Sequence, residues 1–400
     1  EPALKLLQET IHHESAATRK MTYIALGKAG LRAKRTSQSL LQRIEKEADP
    51  ELLAIGIDAL AKMEVKDRAF FTFLSNHFEH EETQLQQSVA NAMLSLPPAE
   101  IVPMLISFLE SKNESVQIRA ANLLGHIGSP AVPALKPLIN VVENSNARNS
   151  PADAFKRALV SIGPMGIPVL LEYIALVESG SDSLWPVDLL AEYGMVGVSN
   201  LEKAIEVNNP RQILAVMEAF AAMGTAAIDA EESIVRMAQH ASPSIRAAAA
   251  QSLASIGIKP AELSSLIEPL LNDKNLTVRQ SAVASLRKSP EAAAEQLGKL
   301  NDLLNDPNPG MRENALLAIA STGNQASDLV EEVAMLLADS TPAVQMAAID
   351  TLGFIGDAPD LALRQMDWVA RSGNETVLLN VLNSLARMRD RLLDHTSLFE

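Results

Sequence analysis

The chain has 400 residues, no cysteine, 4% aromatic residues and a formal net charge of −15. Lack of cysteine excludes disulfides, thiolate catalysis and Cys-based zinc sites. The acidic balance disfavours nucleic-acid binding by the whole surface and suits a basic partner, the scarcity of aromatic residues argues against an all-β fold, and the absence of 18 uninterrupted apolar residues predicts no membrane span.

The first 128 residues divide into helical hairpins. Residues 2–30 pair Ala3–His12 with Ala17–Gly30. Residues 33–64 follow, with a turn at Asp49-Pro50, then residues 67–96 and 98–128. Helix ends at Gly30, Met63 and Leu96 are 33 apart. The first helix shows no specialised cap, so further residues are expected before Glu1. The segment 129–224 is less regular. Its helix ends at Gly128, Gly163, Gly194 and Gly224 are 35, 31 and 30 apart, and Pro130, Pro133, Pro137, Pro164 and Pro168 crowd it. Asn144–Pro151 is the longest polar loop. This block reads as a bend between two regular blocks.

From 225 to 389 a period of 33 holds residue by residue, and a fixed period in this range marks stacked helical repeats. Ile245, Val278, Met311, Val344 and Val377 form one column. Ala249, Ala282, Ala315, Ala348 and Val381 form the next, and Leu253, Leu286, Ile319, Leu352 and Leu385 the third. These are positions i, i+4 and i+8 of a helix, here helix B of each unit. Ala250, Val283, Leu316, Ile349 and Leu382 widen the stripe, as packing on two neighbours requires. Helix A supplies the columns Ile234, Ile267, Leu300, Val333, Met366 and Met237, Leu270, Leu303, Leu336, Val369. Between A and B lie turns beginning at Asp273, Asp306 and Asp339, rich in Asn, Pro and Gly that stop one helix and cap the next. Residues 390–400 read as a polar tail. About twelve hairpins share one continuous core, each touching its neighbours.

Asp306–Gly323 ("DPNPGMRENALLAIASTG") and Ser340–Gly356 ("STPAVQMAAIDTLGFIG") resemble the HEAT-repeat family, as does "ESVQIRAANLLGHIG" ending at Gly128. The resemblance implies an all-α fold, a right-handed α-α superhelix of the HEAT/armadillo type. It also implies a ladder between adjacent repeats, made by the turn Asp and a helix-B Arg: Asp273/Arg279 and Asp306/Arg312. Arg246 and Gln345 share the arginine column, where the charged pair is in question because His240 or Gln345 replaces a ladder member. Arg19 and Arg119 are placed in the same column.

In HEAT solenoids helix B lines the concave surface. Its polar columns here hold Gln280, Glu313 and Met346, and Leu317 and Asp350. Apolar residues on an accessible face, rimmed by polar ones, mark partner surfaces. The leading expectation is therefore a non-catalytic scaffold that binds a protein or peptide along helix B, with no cofactor or metal. A second reading is a HEAT-like lyase with a pocket in the irregular middle near Trp185. A third is a phosphate or nucleic-acid contact through the first repeats. There Ser15–Ile44 holds seven basic residues and no acid, among them Arg19, Lys28, Arg32, Lys34 and Arg35. His12, His13 and Glu14, or His77, His80 and Glu81, are possible metal sets, but spacing alone is weak. The HEAT-like deoxyhypusine hydroxylases need four His-Glu pairs, and only His13-Glu14 and His80-Glu81 occur. G-x-S-x-G, phosphate-loop and Rossmann motifs are lacking. The sequons at Asn113, Asn275 and Asn374 read as helix caps in turns rather than glycan sites. Cytoplasmic and exported locations both fit.

Overall fold

The computed structural model describes residues 2–144, 150–176, 185–356, 360–372 and 375–388, and every regular element among them is a helix. The loop 145–149, the Asn374 sequon and the tail 390–400 lie outside the described residues. The chain forms two compact units, Glu1–Leu170 and Leu171–Glu400, whose boundary falls inside the block expected to be irregular.

Helix starts follow their caps. Asn113, Asn209, Asn275 and Asn308 each accept a backbone N–H of the first turn through the side chain. Pro50, Pro98, Pro210, Pro243, Pro309 and Pro342 each occupy the first turn, where a missing N–H costs nothing. Helix B ends where the chain turns left-handed: Gly224, Gly257, Gly323 and Gly356 have φ between +58° and +86°. In the second repeat this position is Glu64 (φ +53°), one residue beyond the expected Met63. A Cβ there strains the backbone, so Gly323→Ala is expected to destabilise the protein by about 1 kcal/mol in chemical denaturation.

Beyond the reversal the chain enters a 3-10 segment that the period alone does not reveal: Gly30–Thr36, Ser129–Ala134, Gly224–Ala230 and Gly323–Leu329. Each buries an alanine completely at the same step, Ala33, Ala131, Ala227 and Ala326, and two of them bury a second, Ala134 and Ala230.

Within each unit the helices B stack on one another. In the first unit Ala16–Ala29 packs on Pro50–Lys62, which packs on Thr83–Leu94, and Glu114–Ile127 packs on Ser150–Ile162. In the second, Pro210–Met223 packs on Pro243–Ser255, which packs on Leu276–Leu286; Pro309–Ser321 packs on Pro342–Ile355, which packs on Glu375–Arg387. The three core columns of helix B are buried from Ile245 through Leu352, as is the widening column from Ala250 through Ile349. In the second helix-A column Leu270 is buried as expected, whereas Met237, Leu303 and Leu336 are half-buried and their neighbours Ala238, Leu304 and Leu337 are buried instead. Helix A thus turns its deeper face slightly toward the following turn.

A further column, Ser252, Ser285, Ala318, Thr351 and Ser384, lies at the tightest helix–helix contact. Ser252 Oγ is 2.7 Å from Met217 O, Ser285 Oγ 2.8 Å from Ala250 O and Thr351 Oγ1 3.1 Å from Leu316 O, each carbonyl 35 residues earlier in the neighbouring helix B. Each hydroxyl also lies within reach of the carbonyl four residues back, so one proton serves either helix. The approach is so close that a Cβ on Gly353 would sit 2.8 Å from Ser384 Cα. Thr351→Val keeps the volume and removes the donor. Its expected cost is about 1 kcal/mol, read as a Tm lowered by roughly 2–4 °C in calorimetry.

One stretch, Pro210–Met237, reaches the length and mean hydropathy (1.6) of a membrane span. Gly224 breaks it at φ +58°, and Val216, Met217 and Phe220 are buried in the core of the second unit.

Candidate functional site

The ladder sets the geometry of everything around it. Arg246 donates to Asp273 at 2.7 and 2.9 Å, and Arg312 to Asp339 at 2.8 and 2.9 Å. Arg279 reaches Asp306 at 3.8 Å. Each arginine also donates to the backbone of its own turn: Arg246 to His240 O, Arg279 to Asp273 O and Arg312 to Asp306 O. The charged partner is therefore the Asp of the following turn, and the Asp of the same turn offers only its carbonyl. This register restores Arg246, whose own turn carries His240. Gln345 keeps the backbone half of the contact, to Asp339 O at 2.7 Å.

Arg19 belongs to the same ladder, bonded to His13 O and Glu14 O and doubly to Glu47 at 2.9 and 3.1 Å. Arg119 does not. Gln117 holds that position, donating to Ser111 O six residues earlier. Arg119 instead bonds Phe78 O and lies 5.6 Å over the Phe78 ring, and burial lowers its pKa. The hydrogen bond from Arg312 holds the Asp339 carboxyl below the usual carboxylate value, as that from Arg246 does for Asp273.

The turn acceptors explain the histidines. Asp273, Asp306 and Asp339 each accept the N–H two residues on. His13, His80 and His240 do the same through Nδ1, at 3.0–3.1 Å. His77 Nδ1 lies 2.8 Å from Phe73 O. These rings are turn caps, and no group of three metal-ligating side chains converges among the described residues. Asn113 and Asn275 likewise cap helices through their side chains.

Of the basic block, Arg19 is only 7% exposed and is committed to the fold. Lys20 pairs with Glu51, and Arg43 with Glu47. Lys28, Arg32, Lys34 and Arg35 are exposed, in and beside the 3-10 segment Gly30–Thr36. Trp185 is buried, 5.6 Å from the Tyr173 ring, as a core residue.

The helix-B residues singled out in the second unit are partly accessible. Gln280 lies half-exposed on Leu276–Leu286, Glu313 and Leu317 on Pro309–Ser321, and Met346 and Asp350 on Pro342–Ile355. The next positions of the same face extend it. Phe354 is 50% and Leu379 53% exposed. Arg387 lies 3.5 Å from Asp350 and 4.1 Å over the Phe354 ring. Phe354 and Arg387 escape a reading confined to two columns. They sit eight residues beyond Met346 and Leu379, on the third turn of the same face.

No curated protein matches the chain. Among solved structures, Kap121p bound to Nup53p is similar, with a TM-score of 0.50 at 13% identity over 98% of this chain and 50% of that one. The karyopherin Kap121p bound to the SUMO protease Ulp1p gives 0.50 at 14% identity, again over 98% and 50%. The chain thus spans about half the length of these proteins, and the likeness is one of fold. The HEAT repeats family matches residues 71–155, 199–287 and 297–366, more than half of the sequence. With helical hairpins stacked through a ladder of turn carboxylates and helix-B arginines, the chain belongs to the HEAT-repeat family.

Proposed function

We propose that the protein is a non-catalytic scaffold that holds a segment of a protein partner along the helix-B face of its second unit. The observation behind this reading is the strip of Leu317, Met346, Phe354 and Leu379, accessible beside helix-B core columns that are buried from Ile245 through Leu352. Gln280, Glu313 and Asp350 rim it with groups that bond backbone amides and basic side chains. Solved proteins of similar fold are seen bound to other proteins, among them Nup53p and Ulp1p. Many weak contacts spread over successive repeats supply affinity without a deep pocket.

A random peptide library displayed on phage, selected against the full chain, tests the reading. The expected result is a family of enriched sequences with apolar anchors and basic residues, whose binding is lost when the strip is altered. Enrichment of no sequence, or of sequences indifferent to the strip, overturns it.

A further inference from the structure

A second surface, on the turn side of the first unit, has a chemistry of its own. A cleft of about 360 Å³ lies between the end of helix Pro98–Phe108, the ladder residue Gln117 and helix Leu135–Asn144. Its place in the ladder accounts for it. Arg246 and Arg312 each reach a turn carboxylate 27 residues on. Gln117 stands where those arginines stand, and 27 residues on from it is Asn144. Both line the cleft. The guanidinium and carboxylate that fill this space elsewhere are replaced by two neutral amides, of which Gln117 is shorter than the arginine it stands for.

The hydrogen bonds decide what the cleft can bind. Gln117 Nε2 donates to Leu109 O and Ser111 O, each at 2.9 Å. Asn144 Nδ2 donates to Asn140 O at 2.8 Å. With their nitrogens turned to the backbone, both amides offer the cleft their oxygens, and the exposed Glu110 adds a carboxylate. Leu109, Pro137 and Val141 supply an apolar wall. Two amide oxygens and the Glu110 charge beside an apolar wall, with the Asn140 amide able to turn its oxygen the same way, suit a planar cation with several N–H donors carried on a methylene stem. That group is a guanidinium; an ammonium is more strongly hydrated and matches fewer acceptors.

We propose that this cleft receives an arginine side chain of a partner protein, seated where the solenoid elsewhere places its own ladder arginine. The formal charge of −15 favours approach of such a basic partner. The site is independent of the helix-B face, and either can fail alone.

Arginine amide, lysine amide and citrulline amide are titrated into the full chain while the side-chain amide NMR signals of Gln117, Asn140 and Asn144 are followed. Arginine amide is expected to shift them saturably, with citrulline amide, its neutral isostere, roughly 10-fold weaker. Glu110→Gln is expected to weaken arginine amide by about 3- to 10-fold. Gln117→Arg places a guanidinium in the cleft from within the chain. It is expected to abolish the titration with Tm unchanged or raised, which separates blockade from unfolding. The proposal is overturned if no signal shifts, if citrulline amide binds as well as arginine amide, or if Gln117→Arg leaves the titration intact.

Discussion

Replacing Arg312 by alanine is expected to destabilise the second unit by about 3 kcal/mol, lowering its Tm by roughly 6–10 °C. The side chain is largely buried and does three things at once. It donates twice to Asp339, ties down Asp306 O, and neutralises a carboxylate whose own exposure is slight. Truncation leaves Asp339 partly buried without its countercharge, and such uncompensated charges, rather than the lost attraction alone, make single deletions costly. The loss should be local at first, because each repeat touches only its neighbours. Amide exchange in Pro342–Ile355 is expected to speed up before that in Pro243–Ser255. Acid titration gives a second reading. The Asp339 pKa is depressed by Arg312, so the rung stabilises the fold above the unfolded carboxylate value and loses this contribution as pH falls through that value toward the lower folded one. Denaturation of the wild-type protein between about pH 5 and pH 2 should therefore be steeper than that of Arg312→Ala. Parallel acid limbs would show that the rung does not carry the linkage.

The sequence made the solenoid legible because its strongest signal, a 33-residue step in buried apolar columns, is the same constraint that packs helix B on helix B. What escaped it depended on distances between repeats. The charged half of the rung joins Arg246 to Asp273 of the following turn while its own turn supplies only a backbone carbonyl, and sequence alone does not separate a charged partner six residues earlier from one 27 residues later. Arg119 was misplaced for a related reason: it is two residues from the true ladder position, and arginine suggested the role that Gln117 fills. Ser252, Ser285 and Thr351 were invisible as a set because a hydroxyl in a helix reads as a solvent-facing residue. Here each is buried at a contact where a larger side chain would push the helices apart. His13 and His80 looked like metal ligands, yet with His240 they do the work of the turn aspartates through Nδ1. The helix-B face was legible in part. Gln280, Glu313, Leu317, Met346 and Asp350 share one face, but its extension to Phe354 and Arg387 required seeing the arginine folded over the ring.

The double substitution Leu317→Asp/Met346→Asp bears most directly on how the protein works. Both side chains are half-exposed, on the adjacent helices Pro309–Ser321 and Pro342–Ile355. Their removal opens no core cavity, and the fold should tolerate it with a Tm within a few degrees of wild type. Binding should not tolerate it. Two apolar anchors at the centre of a contact strip are each worth about 2 kcal/mol, so their loss predicts a roughly 100- to 1,000-fold weaker Kd for a peptide selected against the wild-type face. The new carboxylates also stand among Glu313 and Asp350, so an apolar ligand segment must desolvate a denser negative patch. A strongly basic ligand would gain from the same charges. The salt dependence of the residual affinity therefore distinguishes a strip that grips apolar anchors from one that merely attracts cations. If the variant keeps its affinity at 150 mM salt, the partner surface lies elsewhere on the solenoid.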